Sequence, residues 1–361
     1  VLTAEDDRGG GTGAGVHVAL RRAKIGRMRS GAELVRATLP FAQEDRAKTW
    51  RLFLTAAALQ AAAVAFTVAA PTALQPLGSL AIALLIVRLF MFLHDAEHGA
   101  VFVGDAVGHG CLAVLAVLTM NVPSSWKRAH DRHHRTNAEP LRPPLDGYLP
   151  GDLLNRTVTV AQWRAMSAAD RWRCRVVTHP LVLVLGFVTA FAIGHGIGPF
   201  VRDRRQVRNP ATLLAWATIA AGLAVGLGPT TAAFVFVLPN LLASAFGTYL
   251  FFAQHHFPAA RILGESDWNL VDAALLGSSF IDMPRWLHWV TGDIAHHHVH
   301  HLNHRIPFYR LAEAMAAIPE LQAPGRTSLH PRDVLACLRC NVWDPEQGRL
   351  VSFAEADGPP R

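Results

Sequence analysis

LGSLAIALLIVRLFMFLHDAEH, residues 77–98, decides how the chain is read. Leu77–Leu93 is apolar apart from Ser79 and Arg88, and with its flanks it is long enough to cross a bilayer as a helix. It runs straight into His94 and His98, whose i, i+4 spacing stacks both imidazoles on one helix face, one turn apart. Imidazole is the commonest nitrogen ligand for transition metals. A span that ends in paired histidines predicts a metal site at the membrane surface.

The same alternation repeats along the chain. Further apolar stretches are Leu52–Ala70 (closed by Pro71), Ala106–Val122, Pro180–Phe200, Ala211–Gly228 and Thr230–Ala253, the last containing Pro239. Ala106–Val122 is short and interrupted by His109 and Asn121, which suits a re-entrant segment as well as a span. Between and after these stretches lie HDRHH (His130, His133, His134), QHH (His255, His256) and HHHVHH (His296–His298, His300, His301).

Composition agrees. Of 361 residues, 51% are hydrophobic and only 17% charged, and the apolar excess is blocky. The net charge is +7, but no basic run is interleaved with aromatic residues, so nucleic acid is not the expected partner. Anionic membrane lipids and an acidic electron-carrier protein are. Cys111 and Cys174 are isolated, and the lone C-x-x-C of Cys337 and Cys340 is a weak zinc or redox signal. No signal peptide is read at the start.

Charge sets the expected topology. Arg46, Lys48 and Arg51 place the flank before the first span in the cytosol. Arg202, Arg204, Arg205 and Arg208, against Asp203 alone, do the same for the loop before Ala211, whereas the turn LGPTT (227–231) is uncharged. The expected fold is therefore all-α and integral to the membrane, with about four transmembrane helices and with 106–122 and 180–200 in or dipping into the interface. A cytosolic histidine-rich cap holds a dimetal site, and every histidine cluster and both termini face the cytosol. Residues 1–45 are read as a disordered or interfacial arm, 46–353 as the membrane domain and 354–361 as a tail.

The expected ligands are His94, His98, His130, His133, His134, His297, His300 and His301, with His255 as a ninth. One ion takes four to six ligands, so nine imply two ions. Nitrogen-rich ligation without nearby cysteine fits iron with positions open to dioxygen. Asp95, Asp131 and Asp293 are candidates to orient the metal-bound imidazoles; the alternative for Asp95 and Asp131 is helix capping or pairing with Arg132 and Arg128. His256, His296 and His298 are read as pointing off the ligand face. His109, His179, His195, His288, His304 and His330 are read as interface, solvent or loop residues. Arg88 is read as snorkelling to the headgroups, or else as touching the metal region or an anionic headgroup.

Beyond the clusters, RLFMFLHDAEHG (88–99), THPLVLVLG (178–186), YLFFAQHHFP (249–258), DWNLVDAALLGSS (267–279), WVTGDIAHHHVHHLNHRIPFYRL (289–311) and VWDPEQGRLV (342–351) resemble the membrane fatty acid desaturases, in their bacterial acyl-lipid Δ12/ω-type branch. The resemblance spans about Ala42 to Phe353. It implies a helical membrane fold with a cytosolic cap in a bacterial inner membrane, two iron ions and a hydrophobic tunnel for an acyl chain. It also implies removal of two hydrogens from adjacent methylenes with dioxygen as co-substrate. The substrate would be an acyl lipid or acyl thioester, and electrons would come from a separate ferredoxin or cytochrome b5-type donor. The family's ligands fall on the nine histidines named above. The chain departs from the family at Glu97 within the first box, in the Pro-rich EPLRPPLDGYLPGD (139–152), and at His304, where Pro is common. The same boxes serve hydroxylases and ketolases on acyl, alkane or carotenoid substrates. A non-catalytic membrane metal-binding or transport protein is the reading from another class. Transporters, however, place their ligands inside the spans, not at span ends.

Overall fold

The computed structural model describes residue 29, residues 31–145, residue 148 and residues 150–358. Most of the expected N-terminal arm thus lies outside the described residues. Its last part does not hang free. Helix α1 (Gly31–Thr38) buries Leu34, Asn303 Nδ2 donates to Thr38 Oγ1 at 2.7 Å, and Arg310 Nη1 donates to the carbonyl of Pro40 at 2.9 Å. At the other end, residues 353–357 form a short helix with a Ser352/Glu355 capping box. Asp357 accepts from Trp163 Nε1 at 2.9 Å, so this part of the expected tail is also packed.

Among the described residues, four helices are long and apolar enough to cross a membrane: α2 (Arg46–Ala69), α3 (Gln75–Glu97), α6 (Arg208–Leu227) and α7 (Pro229–Ala253). Asp45 caps α2 by accepting from the Lys48 amide at 2.9 Å, and Pro71 follows the extended Ala70 that ends it. Helices α2 and α3 form a tight hairpin. Gly78 is required at its closed end, because a Cβ there would run into the Thr67 hydroxyl. Helix α7 packs along α3 and carries a π turn at Ala233–Val237, which ends two residues before Pro239. Proline removes an intrahelical donor, and the wider turn absorbs that loss.

The two ambiguous apolar stretches do not form straight spans. Helix α4 (Ala106–Leu118) breaks at 119–122, and α5 (Pro123–Arg135) leaves it at 92°. Pro123 begins α5 at a position where a missing N–H is harmless. Residues 180–202 are split into Pro180–Val184, a π-helical segment Phe187–Ile197 and Gly198–Arg202. Counting the bent pair as one span would raise the total to five.

The cap is built from short pieces: α8 (Leu270–Gly277), α9 (Arg285–Val290) and α10 (His297–Leu302). Two small sheets join them, one parallel (β1 Ser279–Asp282 with β2 Gly325–Ser328) and one antiparallel (β3 Val342–Asp344 with β4 Arg349–Val351). An edge-to-face aromatic chain ties cap to spans, with Phe53 to Phe92 at 5.3 Å and Phe92 to Phe308 at 5.0 Å between ring centres. The C-terminal ends of α3 and α7 lead into His94–His98 and His255, so both deliver imidazoles to the same end of the bundle.

Candidate metal centre

Helix ends, not loops, aim the box histidines. His94 and His98 sit at the end of α3, His130, His133 and His134 in the last turns of α5, and His297, His300 and His301 on α10. His255 follows α7 directly. All nine are buried. They form two sets of four: His94, His98, His130 and His300, and His133, His255, His297 and His301, with one ligand atom from each residue lying within 4.8 Å of the others. The ninth, His134, joins the first set, its Nε2 lying 3.2 Å from His130 Nε2 and 3.1 Å from His300 Nε2.

The spacing within each box explains the division. The i, i+4 pairs His130/His134 and His297/His301 stay on one set, while the i+3 members, His133 and His300, cross to the other. Residues four apart differ by about 40° around a helix and residues three apart by about 60° in the opposite sense. A three-histidine box therefore straddles the two sets.

Nitrogen atoms meet tip to tip. His94 Nε2 lies 3.0 Å from His130 Nε2, His255 Nε2 lies 3.0 Å from His297 Nε2, and His301 Nε2 lies 3.1 Å from His297 Nε2. A neutral imidazole has one N–H, so one nitrogen cannot serve several neighbours of the same kind. Nitrogen ligands about 2.1 Å from a shared ion and at right angles lie about 3 Å apart. His98 Nε2 and both ring nitrogens of His133 are buried without a hydrogen-bond partner. Together with the Nε2 atoms that meet tip to tip, they give a surplus of buried lone pairs that fits a pair of metal ions. Burial also holds the imidazoles of His98, His297, His300 and His301 well below their usual pKa and brings His255 down to about 4, which keeps them neutral and able to ligate.

Second contacts fix the tautomers. His94 Nδ1 pairs with Asp95 Oδ1 at 2.8 Å, and the other Asp95 oxygen accepts the Phe308 amide at 2.6 Å. His255 Nδ1 donates to the Gly277 carbonyl at 2.9 Å. Each bond leaves Nε2 free to ligate. The other two candidate carboxylates turn elsewhere. Asp131 pairs with Lys127 at 3.2 Å, and Asp293 faces His288 Nδ1 at 3.4 Å. His256 stacks on Phe252 with ring centres 4.3 Å apart, and His298 Nε2 donates to the Leu321 carbonyl at 3.0 Å. His304 does reach the centre, its ring 4.6 Å from that of His98.

Arg88 does not snorkel. It is 3% exposed, donates from Nη1 to the Trp289 carbonyl at 2.8 Å and lies over the rings of Phe308 (4.6 Å) and Trp289 (4.9 Å). The cap that folds over α3 gives the guanidinium a nearer partner than the headgroups. Two neighbours of the centre carry no sequence signal: Trp126 stacks on His130 at 4.3 Å, and Phe251 packs on His133 at 4.8 Å.

Beside the centre lies a cavity of about 390 Å³. His94, His130 and His297 form part of its wall, and most of the rest is apolar, including Ile86, Phe90, Met91, Phe251 and Ile294. The π-helical segment supplies Thr189–Phe191 and Ile193–His195 to it.

Helices of this length, ending in paired imidazole sets beside an apolar cavity, define a membrane protein whose site could hold metal next to an apolar ligand. Comparison with known proteins says which. The fatty acid desaturase family matches over residues 70–332, and the chain belongs to that family. A fatty acid desaturase of Bacillus subtilis is 29% identical over 268 residues, 74% of this chain and 74% of the relative. An sn-1 oleoyl-lipid 12-desaturase of Synechocystis sp. is 27% identical over 271 residues, covering 72% of this chain and 73% of the relative. A chloroplastic omega-6 fatty acid desaturase of Spinacia oleracea is 24% identical over 325 residues, 86% and 68% of the two chains. The resemblance read from the boxes and the longer strings is thus borne out. Membership makes the chain a membrane oxidoreductase acting on fatty acids.

Proposed function

We propose that this chain is a diiron, dioxygen-dependent desaturase that places a cis double bond in an acyl chain carried by a membrane lipid, with the Δ12-type outcome named for its cyanobacterial relatives. One observation carries the reading: two sets of buried imidazoles adjoin an apolar cavity and share His94, His130 and His297 with its wall. His94, His98, His130, His134 and His300 would hold one iron, and His133, His255, His297 and His301 the other. When bound, the iron pair activates dioxygen and supplies the oxidising power that removes two hydrogens from adjacent methylenes.

The chain's own groups do the rest. Asp95 and the Gly277 carbonyl hold His94 and His255 in the ligating tautomer. Trp126 and Phe251 restrict the rings of His130 and His133. The apolar walls seat an acyl chain and exclude water from it. Reducing dioxygen to two waters while taking two hydrogens from the substrate needs two further electrons and two protons. A separate ferredoxin or cytochrome b5-type protein delivers the electrons from the cytosolic face, towards which the basic flanks orient the centre.

The test is the fatty acid profile of a host expressing the chain, read by mass spectrometry of methyl esters beside His300→Ala. The active chain yields a new unsaturated species; the variant, missing a ligand, falls below detection and loses iron while still inserting in the membrane. A hydroxylated product would transfer the chain to the hydroxylases, and full activity of the variant would refute the ligand set.

A further inference from the structure

A third cluster of metal-ligating groups lies outside the two imidazole sets. It consists of His288 on α9, Asp293 in the turn after it and His296 just before α10, with one ligand atom from each within 4.8 Å of the other two. The spacing is H-x4-D-x2-H.

The turn holds these groups together. Gly292 and Asp293 both adopt positive φ, +59° and +53°, and the Asp293 amide donates back to the His288 carbonyl at 2.9 Å. Two successive left-handed residues fold the chain back over the end of α9, and Asp is one of the few side chains that tolerate that conformation. The fold brings Asp293 Oδ1 to 3.4 Å from His288 Nδ1, a nitrogen that is buried and has no hydrogen-bond partner. On the other side, the His296 amide and Nδ1 both donate to the Asp293 carbonyl at 2.9 Å. That bond commits Nδ1 as the protonated nitrogen and leaves Nε2 as a lone pair, the arrangement by which backbone carbonyls orient metal-bound imidazoles. Phe280 packs against both rings, 5.9 Å from His288 and 4.9 Å from His296.

We propose that His288, Asp293 and His296 form a separate site for a divalent zinc-class cation. Two imidazoles and one carboxylate, with no thiolate, are the donor set that zinc takes in sites with an open position. The side chains of His288 and Asp293 are 17% and 32% exposed, so the cation enters from solvent without passing the iron centre. Bound there, it clips the turn to α9 and steadies the chain that enters α10. The proposal does not rest on the reaction assigned to the chain.

The test uses iron-loaded, full-length protein in detergent, dialysed against radioactive Zn2+ alone. The wild type retains one zinc per chain. His288→Gln and Asp293→Asn each weaken its uptake at least ten-fold and leave iron content unchanged. No zinc on the wild type, or equal uptake by all three, overturns the proposal. If a variant also loses iron, zinc-edge X-ray absorption of the wild type decides. A shell of two imidazoles with carboxylate oxygen supports the site, whereas an all-imidazole shell shows zinc displacing iron from the main centre and overturns it.

Discussion

Asp95 shows how much one carboxylate does here. It is 1% exposed, and both oxygens are engaged, one by the His94 ring and the other by the Phe308 amide. Asp95→Asn keeps the shape but offers one acceptor and one donor where two acceptors are needed, so either His94 or Phe308 loses its partner. Removing such an outer contact typically weakens metal binding about 10- to 100-fold. The variant should therefore give up iron to a competing chelator at correspondingly lower chelator concentration, a loss that retained wild-type affinity would refute. The imidazoles themselves set a pH dependence. His255, brought from 6.5 to about 4 by burial, is joined by His98, His297, His300 and His301, all lowered for the same first cause. Between the folded and unfolded values the unfolded chain binds more protons, so stability rises with pH in that window. Metal-free protein should hold a constant unfolding temperature above about pH 7 and lose it progressively as pH falls from 6.5 towards 4. A flat profile down to pH 5 would contradict the buried, neutral state of these rings.

At the level of elements, the α2–α3 hairpin is the frame that presents the first box. Its closed end depends on Gly78 lying against Thr67, with Phe66 also in contact range. Gly78→Ala should push the helices apart and destabilise the protein by about 1–3 kcal/mol, the usual range for overpacking. Thermal unfolding in detergent reads this, and Thr67→Ala in the same chain should recover part of the loss. These helices were legible because their apolar blocks are long and punctuated by Pro71 and by charged flanks. The boxes were legible because helical spacing is local. Arg88 was not, because its partners Trp289 and Phe308 lie some two hundred residues away and burial is a tertiary property. For the same reason His288 reads as an interface, solvent or loop residue and His296 as pointing off the ligand face: the left-handed turn at Gly292–Asp293 that joins them leaves no pattern in side-chain chemistry. The assignment of His133 and His300 to opposite sets from their box neighbours follows from helix geometry only once the facing helices are in place.

At the scale of the whole molecule, the cavity is assembled from α3, the α4–α5 bend, residues within 151–155 and 176–182, the π-helical segment, α7, Ile294, and His297 at the start of α10, and no single stretch of sequence announces it. On the proposed function, its extent beyond the imidazoles would limit how far an acyl chain can reach past the reacting carbons. Gly247, on α7, lines it, and a Cβ at that position would meet nothing within 4 Å. Gly247→Leu therefore adds a branched side chain whose Cβ meets open space, unlike the Cβ of Gly78→Ala. Gly247 is not one of the nine histidines, so iron content should stay at the wild-type value. The products should shift to shorter acyl chains, or the double bond should move relative to the chain's methyl end, as read from the methyl-ester profile of an expressing host. The same product spectrum with iron retained would mean that the acyl chain lies elsewhere and that this cavity does not set where the bond is made.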